Sequence, residues 1–165
     1  MPLNGFNNSI SWSQFSQVQQ RLNGQEDAFI RVVYRYTYQT GRNRNAVTVS
    51  EADVNIDILS SESWVVDTQM TDYLLRHEQG HYDITSLGAR SFYNALLNET
   101  ASSINALATS IRRLNTRHQQ TINSANNRYD SQTQHSRDTN AQQRWNQAIS
   151  AALLNVNGSV NSLPQ

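Results

Sequence analysis

The hydrophobic period of this chain changes once, near Thr68, and that change constrains the fold more than any other feature of the sequence. Upstream, AFIRVVYRYTYQ places Ala28, Ile30, Val32, Tyr34, Tyr36 and Tyr38 on one face, with Arg31, Arg35 and Gln39 on the other. A period of two is that of a half-buried strand. TGRNRN reads as the turn that follows. Val47 and Val49, then Val54, Ile56 and Ile58, read as one or two further strands broken near Ser50 to Asp53, and SESWVV, ending at Val66, as another. Downstream, Met70, Leu74, Leu75, Tyr82, Leu87, Phe92, Leu96 and Leu97 fit a helix with Asp67 or Thr68 as N-cap, and no proline interrupts the chain between Pro2 and Pro164. Residues 101–127 repeat Ile104, Leu107, Ile111, Leu114 and Ile122 at helical spacing, and Trp145, Ile149 and Leu153 mark a third helix over about 140–154. The polar stretch between them, RYDSQTQHSRDTN, reads as a connection able to carry functional side chains. The expectation is one α+β domain over residues 1–165, with a mainly antiparallel sheet built from strands at about 10–66 and three helices at about 68–156.

On the first of these helices stands LLRHEQGHYDI. His77 and His81, four residues apart, lie on one helix face about one turn apart, and Glu78 projects roughly 100° to the side. This is the His-Glu-x-x-His arrangement, in which two imidazoles hold a zinc ion, a water takes its open position and the glutamate receives a proton from that water. The chain contains no cysteine, so any metal must be held by His, Asp or Glu. Gly80 leaves room for close approach of a neighbouring backbone.

A catalytic zinc site needs a third protein ligand. Glu99 would lie roughly 27 Å beyond His81 on a continuous helix, and Asp83 is rotated by about 200° from it. The ligand must then come from a returning segment, where His118, Asp130, His135 and Asp138 are the candidates. A simple helical hairpin turning near Thr100 brings residue 119 level with His81, which favours His118. Tyr82 and Tyr129, near the motif in sequence, are candidates for stabilising an oxyanion.

Charge and hydropathy exclude other classes. Lys plus Arg and Asp plus Glu are 13 each, which leaves no electrostatic footprint for nucleic acid. No window approaches the roughly 20 apolar residues of a membrane span. The N-terminal MPLNGFNNSI has no basic region followed by an apolar run, so no signal peptide is expected in it.

Taken together, WSQF, SWVV, LLRHEQGHYDI with Ala89 and Arg90 downstream, RYDSQTQHS and QQRW resemble the bacterial domain-of-unknown-function family 922, described as predicted secreted zinc-dependent proteases. The resemblance runs from Ile10 to about Ile149. It implies a zincin-like metallopeptidase domain acting on a peptide or protein substrate, located in the periplasm or outside the cell. It also implies a zinc ion on His77, His81 and His135, with Asp130 or Thr133 orienting an imidazole. Ser136 stands where the family usually has Gly. In the mechanism so implied Glu78 is the general base, and a strand such as the one over 54–58 pairs with the substrate. The alternative is a zinc-stabilised binding module that keeps the ligands without the chemistry.

Overall fold

The computed structural model describes residues 3–165. The strands precede the helices, so the architecture is α+β with three helices, but the strands divide between two small mixed sheets. In the first sheet β4 (Val32–Asn43) and β5 (Ala46–Ile58) form a long antiparallel hairpin. On the far side of β5, β1 (Leu3–Asn4) pairs in parallel and β7 (Thr100–Ala101) antiparallel. In the second sheet β6 (Trp64–Val66) lies between β2 (Ser16–Val18), parallel to it, and β3 (Ala28–Phe29), antiparallel. The expected mainly antiparallel single sheet is therefore corrected to two mixed ones.

The hairpin shows why the second alternating run looked broken. Gln39 pairs with Glu51 and Thr40 with Val49, so Ser50 is an extra residue opposite no partner. A bulge of one residue reverses which parity faces inward. Accordingly Val47 and Val49 are buried on one side of it, and Ala52, Val54 and Ile56 on the other, within one continuous strand. The turn is also tighter than TGRNRN suggests, because β4 runs on to Asn43 and only Arg44 and Asn45 close the hairpin. The first alternating run, by contrast, is split. At Ile30 and Arg31 the chain leaves the second sheet and enters the first, with the Ser63 hydroxyl accepting from the Arg31 N–H at 2.9 Å.

Helix α1 (Asp72–Leu96) begins one turn later than the sequence suggested. Asp67–Gln69 form a 3-10 turn, and Thr71 caps α1 by accepting from the Leu74 N–H at 3.2 Å. From Tyr82 to Ala89 α1 is buried on every side, since the sheets cover one flank and the other helices cover the rest. Tyr82, Phe92 and Leu96 pack into the core shared with the first sheet, while Ile84 and Leu87 join a second core with Tyr129 and Trp145. A helix clothed on all sides holds its polar residues in fixed positions, and His77 and Glu78 are buried at 3% and 2% exposure.

Helix α2 (Ile104–Thr133) is longer than expected and absorbs the segment taken for a loop, and α3 (Thr139–Leu154) follows after a five-residue turn, 134–138. Asp138 is spent on capping α3, accepting from the Ala141 N–H at 2.9 Å, which removes it from the ligand candidates. Because β7 inserts between α1 and α2 and joins the sheet, the two helices do not meet as a symmetric hairpin about Thr100. Phe92 faces His118, Gly88 faces Ile122, and His81 faces Asn126 and Asp130, so the centre of the hairpin lies near residue 105. No described helix is long and apolar enough to cross a membrane.

Candidate metal centre

Four segments converge on the N-terminal half of α1. His77, Glu78 and His81 come from α1 itself, Asn126, Tyr129 and Asp130 from α2, His135 from the α2–α3 turn, and Gln142 from α3. The imidazole Nε2 atoms of His77 and His81 lie 3.2 and 2.9 Å from the same oxygen, Asp130 Oδ1. These separations approach the ~3.3 Å edge of a tetrahedron of N and O ligands drawn with metal distances of about 2.0–2.1 Å.

The opposite sides of both rings are also fixed. His77 Nδ1 is 2.8 Å from Gln142 Oε1, and His81 Nδ1 is 2.8 Å from Asn126 Oδ1. Gln142 can turn only its oxygen to the ring, because its Nε2 donates to the Tyr129 hydroxyl and to Asn146 Oδ1. An amide oxygen only accepts, so each Nδ1 carries the proton, and a neutral imidazole then presents a bare lone pair at Nε2. Two such lone pairs and a carboxylate oxygen pointing at one another repel unless a cation lies among them. In the metal-free protein that cation is a proton: burial works against a charged His81, but the Asp130 carboxylate outweighs it and pushes the ring up to about 9. Burial likewise opposes the charge on Asp130, and the His77 and His81 rings that face it overcome that, holding its carboxyl well below the usual range. The donor set fits a divalent ion in place of that proton.

The Gln142 side chain was missed by the sequence reading, as was Asn126, for both are ordinary amides in an amide-rich chain. Replacing Gln142 with Leu keeps the volume and removes the acceptor that fixes the His77 tautomer. Zinc affinity is expected to fall by about 10–100-fold, as read by competition with a chromophoric chelator. An unchanged affinity would reduce Gln142 to a packing amide.

Glu78 lies beside the ligands and is not one of the converging donors. Its Oε2 is buried without any hydrogen-bond partner. Burial pushes the carboxyl above its ordinary value, and the neighbouring His81 and His77 pull it back. An orphaned carboxylate oxygen that deep costs free energy unless something polar meets it, and the cleft in front of it has a volume of about 420 Å³. That cleft is lined by Glu26, by residues 28–33 of β3, the link to β4 and the start of β4, by Asn123 and Asn126 of α2, and by His77, Glu78, His81, Asp130 and His135.

Asp130 turns its Oδ1 to the Nε2 atoms of both rings, on the side away from Gln142 and Asn126, so it is a converging donor and not a group that orients an imidazole from behind. His135 is brought to the same cleft, with Nδ1 3.8 Å from Asp130 Oδ1 and 3.4 Å from Glu26 Oε1, so it stands one step outward from the pair. His118 packs edge-on against Phe92 and lies twelve residues before Asp130 on α2, about 18 Å along the axis, so it is no ligand. Tyr129 is fully buried, donates to the His77 carbonyl oxygen at 3.2 Å and stacks on the His77 ring at 4.7 Å. Its hydroxyl is committed and cannot meet an oxyanion. Tyr82 points away, donating to the Gly5 carbonyl oxygen at 2.6 Å. Thr133 donates to the Tyr129 carbonyl oxygen at 2.7 Å and makes no hydrogen bond to an imidazole. At Gly80 the close neighbour is the Tyr129 phenol and not a backbone, since a Cβ there would lie 2.8 Å from Tyr129 Cε1.

One signal for α2 was present in the sequence. Ile122, Ala125, Tyr129 and Thr133 continue the helical period through the polar stretch and are all buried. Extending the helix by that period puts Asn126 and Asp130 on one face, i and i+4. Glu26 carried no such signal, because it sits in the non-periodic segment between β2 and β3.

Residues 8–136 match the family described as bacterial protein of unknown function, DUF922. No curated protein and no solved structure matches the chain.

Proposed function

We propose that this chain, which belongs to the bacterial DUF922 family, is a zincin-like, zinc-dependent peptidase with His77, His81 and Asp130 as ligands and Glu78 as general base. The observation that carries the reading is the convergence of two tautomer-fixed Nε2 atoms on one carboxylate oxygen, beside a buried, unpartnered glutamate oxygen on the wall of an open cleft. A zinc ion held there would supply Lewis acidity to a scissile carbonyl and lower the pKa of a water.

The chain's own residues do the rest. Glu78 Oε2 has no competing donor, so it is free to take a proton from the attacking water and pass it to the departing amine. Its raised affinity for protons suits that exchange near neutral pH. Asn126 and Gln142 hold the rings, and Tyr129 stacked on His77 keeps that ring from turning. Substrate pairing moves from the strand over 54–58 to another edge. β5 is interior, with β4 on one side and β1 at Val54 and Asn55 on the other. β3 and β4 are each outermost in their sheets, and residues 28–33 line the cleft. An extended peptide added along that edge lies across the front of Glu78.

The test is to purify the chain without chelator, measure bound zinc, and screen a mixed peptide library for cleavage that a chelator stops and zinc restores. Failure to take up zinc would refute the reading. Zinc must also displace the proton shared by His81 and Asp130. Because His81 is held protonated up to about 9, apparent affinity should rise by about tenfold per pH unit through neutrality and level off above that value. Calorimetry at neutral pH in buffers of different ionisation enthalpy should accordingly register about one proton released per zinc.

A further inference from the structure

We propose that Glu26, Asp130 and His135 form a second divalent-cation position that shares the Asp130 carboxylate with the His77–His81 site. The inference rests on the zinc site proposed above, because Asp130 belongs to both sets. One donor atom from each of Glu26, Asp130 and His135 lies within 4.8 Å of the others, as is also true of His77, His81 and Asp130. A carboxylate has two oxygens, each with lone pairs, and can serve two ions.

The second set is not a hydrogen-bonded cluster. His135 Nδ1 is 3.4 Å from Glu26 Oε1 and 3.8 Å from Asp130 Oδ1, yet it is buried and makes no hydrogen bond to either. An imidazole nitrogen left without a hydrogen bond beside two carboxylates is an arrangement that a cation fills.

The backbone holds His135 there at some cost. Gln134, His135 and Ser136 are consecutive non-glycine residues in the left-handed region, with φ of 51°, 52° and 70°. Non-glycine residues in this region persist only where surrounding contacts impose it. Here the His135 N–H is bound to the Asp130 carbonyl at 3.0 Å and the Asp138 N–H to that of Thr133 at 2.8 Å. Arg137 donates to the Gln25 carbonyl at 2.6 Å, which ties the turn to the segment that carries Glu26.

Charge points the same way. Glu26, Asp27, Glu78 and Asp130 line the cleft; Asp27 is paired with Arg21 at 2.7 Å, and the one arginine on the lining, Arg31, lies 3.7 Å from Glu62, which leaves three carboxylates without a basic side chain of Lys or Arg beside them. One divalent ion leaves this cleft net negative; a second makes it net positive, which favours the oxygen of an incoming carbonyl. Two carboxylates and one imidazole suit Zn²⁺ or Mn²⁺. With fewer imidazoles and greater exposure than the first set, this position should fill second.

The test is a calorimetric zinc titration of the whole metal-free chain, with elemental analysis of the saturated protein and circular dichroism of each variant. Two steps and about two zinc ions per chain are expected. Glu26→Gln and His135→Ala should each abolish the weaker step and change the tighter one by less than about threefold, while His77→Ala should abolish the tighter. Glu26 lies outside any strand or helix, so its variant stays informative if His135→Ala disturbs the turn. Saturation at one zinc that Glu26→Gln and His135→Ala leave unchanged overturns the second position and leaves the peptidase reading standing. A single zinc weakened by His135→Ala overturns it too, by assigning His135 to the first ion. No zinc at all overturns both.

Discussion

Glu78→Gln is expected to keep its fold and its zinc and to lose peptide hydrolysis by about a hundred- to ten-thousand-fold, the usual contribution of a positioned base. The two side chains have nearly the same shape, so packing around this buried position is preserved. Glutamine carries no charge into the interior, and burial already disfavours the charged form of Glu78, so thermal stability should hold or rise. What is lost is a basic oxygen in a place where the wild-type Oε2 has no other partner. The measurement compares kcat/KM of wild type and variant on any peptide found to be cleaved, beside zinc content and Tm of both. A variant that cleaves at the wild-type rate removes Glu78 from the chemistry. If wild-type protein binds zinc but cuts nothing in the library, the binding-module alternative takes the place of the peptidase.

Asp130→Ala is expected to weaken zinc binding by well over the roughly 10–100-fold that a supporting residue costs, whereas His118→Ala should leave it within about twofold. The carboxylate of Asp130 is the group on which both Nε2 atoms converge, at 3.2 and 2.9 Å, and it is what holds the His81 ring charged in the absence of metal. Alanine removes a ligand atom and a negative charge together. Asp130→Asn separates the two losses, keeping an oxygen of similar position without the charge. His118 touches Phe92 on the far stretch of α2 and has no part in the cleft. Zinc competition assays on the three variants decide the matter. Equal losses in His118→Ala and Asp130→Ala would mean that the helices do not meet as described.

Much of this outcome was written locally. The switch from period two to period 3.6 separates strands from helices in any sequence, because each period puts apolar groups on one side of its own element. His77, Glu78 and His81 needed only the helix pitch to be placed together. The same logic, carried through Ile122, Ala125, Tyr129 and Thr133, would have extended α2 to its true end. Composition misled there, since polar residues stand for a loop only when the apolar period stops. The Ser50 bulge is a subtler case. A change of parity from Val49 to Ala52 marks either a break or a single inserted residue, and the cross-strand register alone distinguishes them.

Which residues meet His77 and His81 was a different kind of question. The chain by itself suggested a hairpin centred at Thr100 and hence His118; the tertiary structure moved the centre by about five residues because Thr100 and Ala101 pair with β5. Close packing at Gly88, where a Cβ would collide with Ile122, then fixes where α1 and α2 cross. Asp130 faces the two rings as a result. Gln142 reaches His77 from 65 positions away and Glu26 reaches His135 across more than a hundred, along paths set by sheet pairing and helix crossing. The sequence by itself determined the order of strands before helices, the three helices and the two-histidine motif, because periodicity is a property of neighbours along the chain. The carboxylate that faces both rings, the amides behind them and the neighbours of His135 were decided only by the tertiary structure, because each depends on the packing of elements distant in sequence.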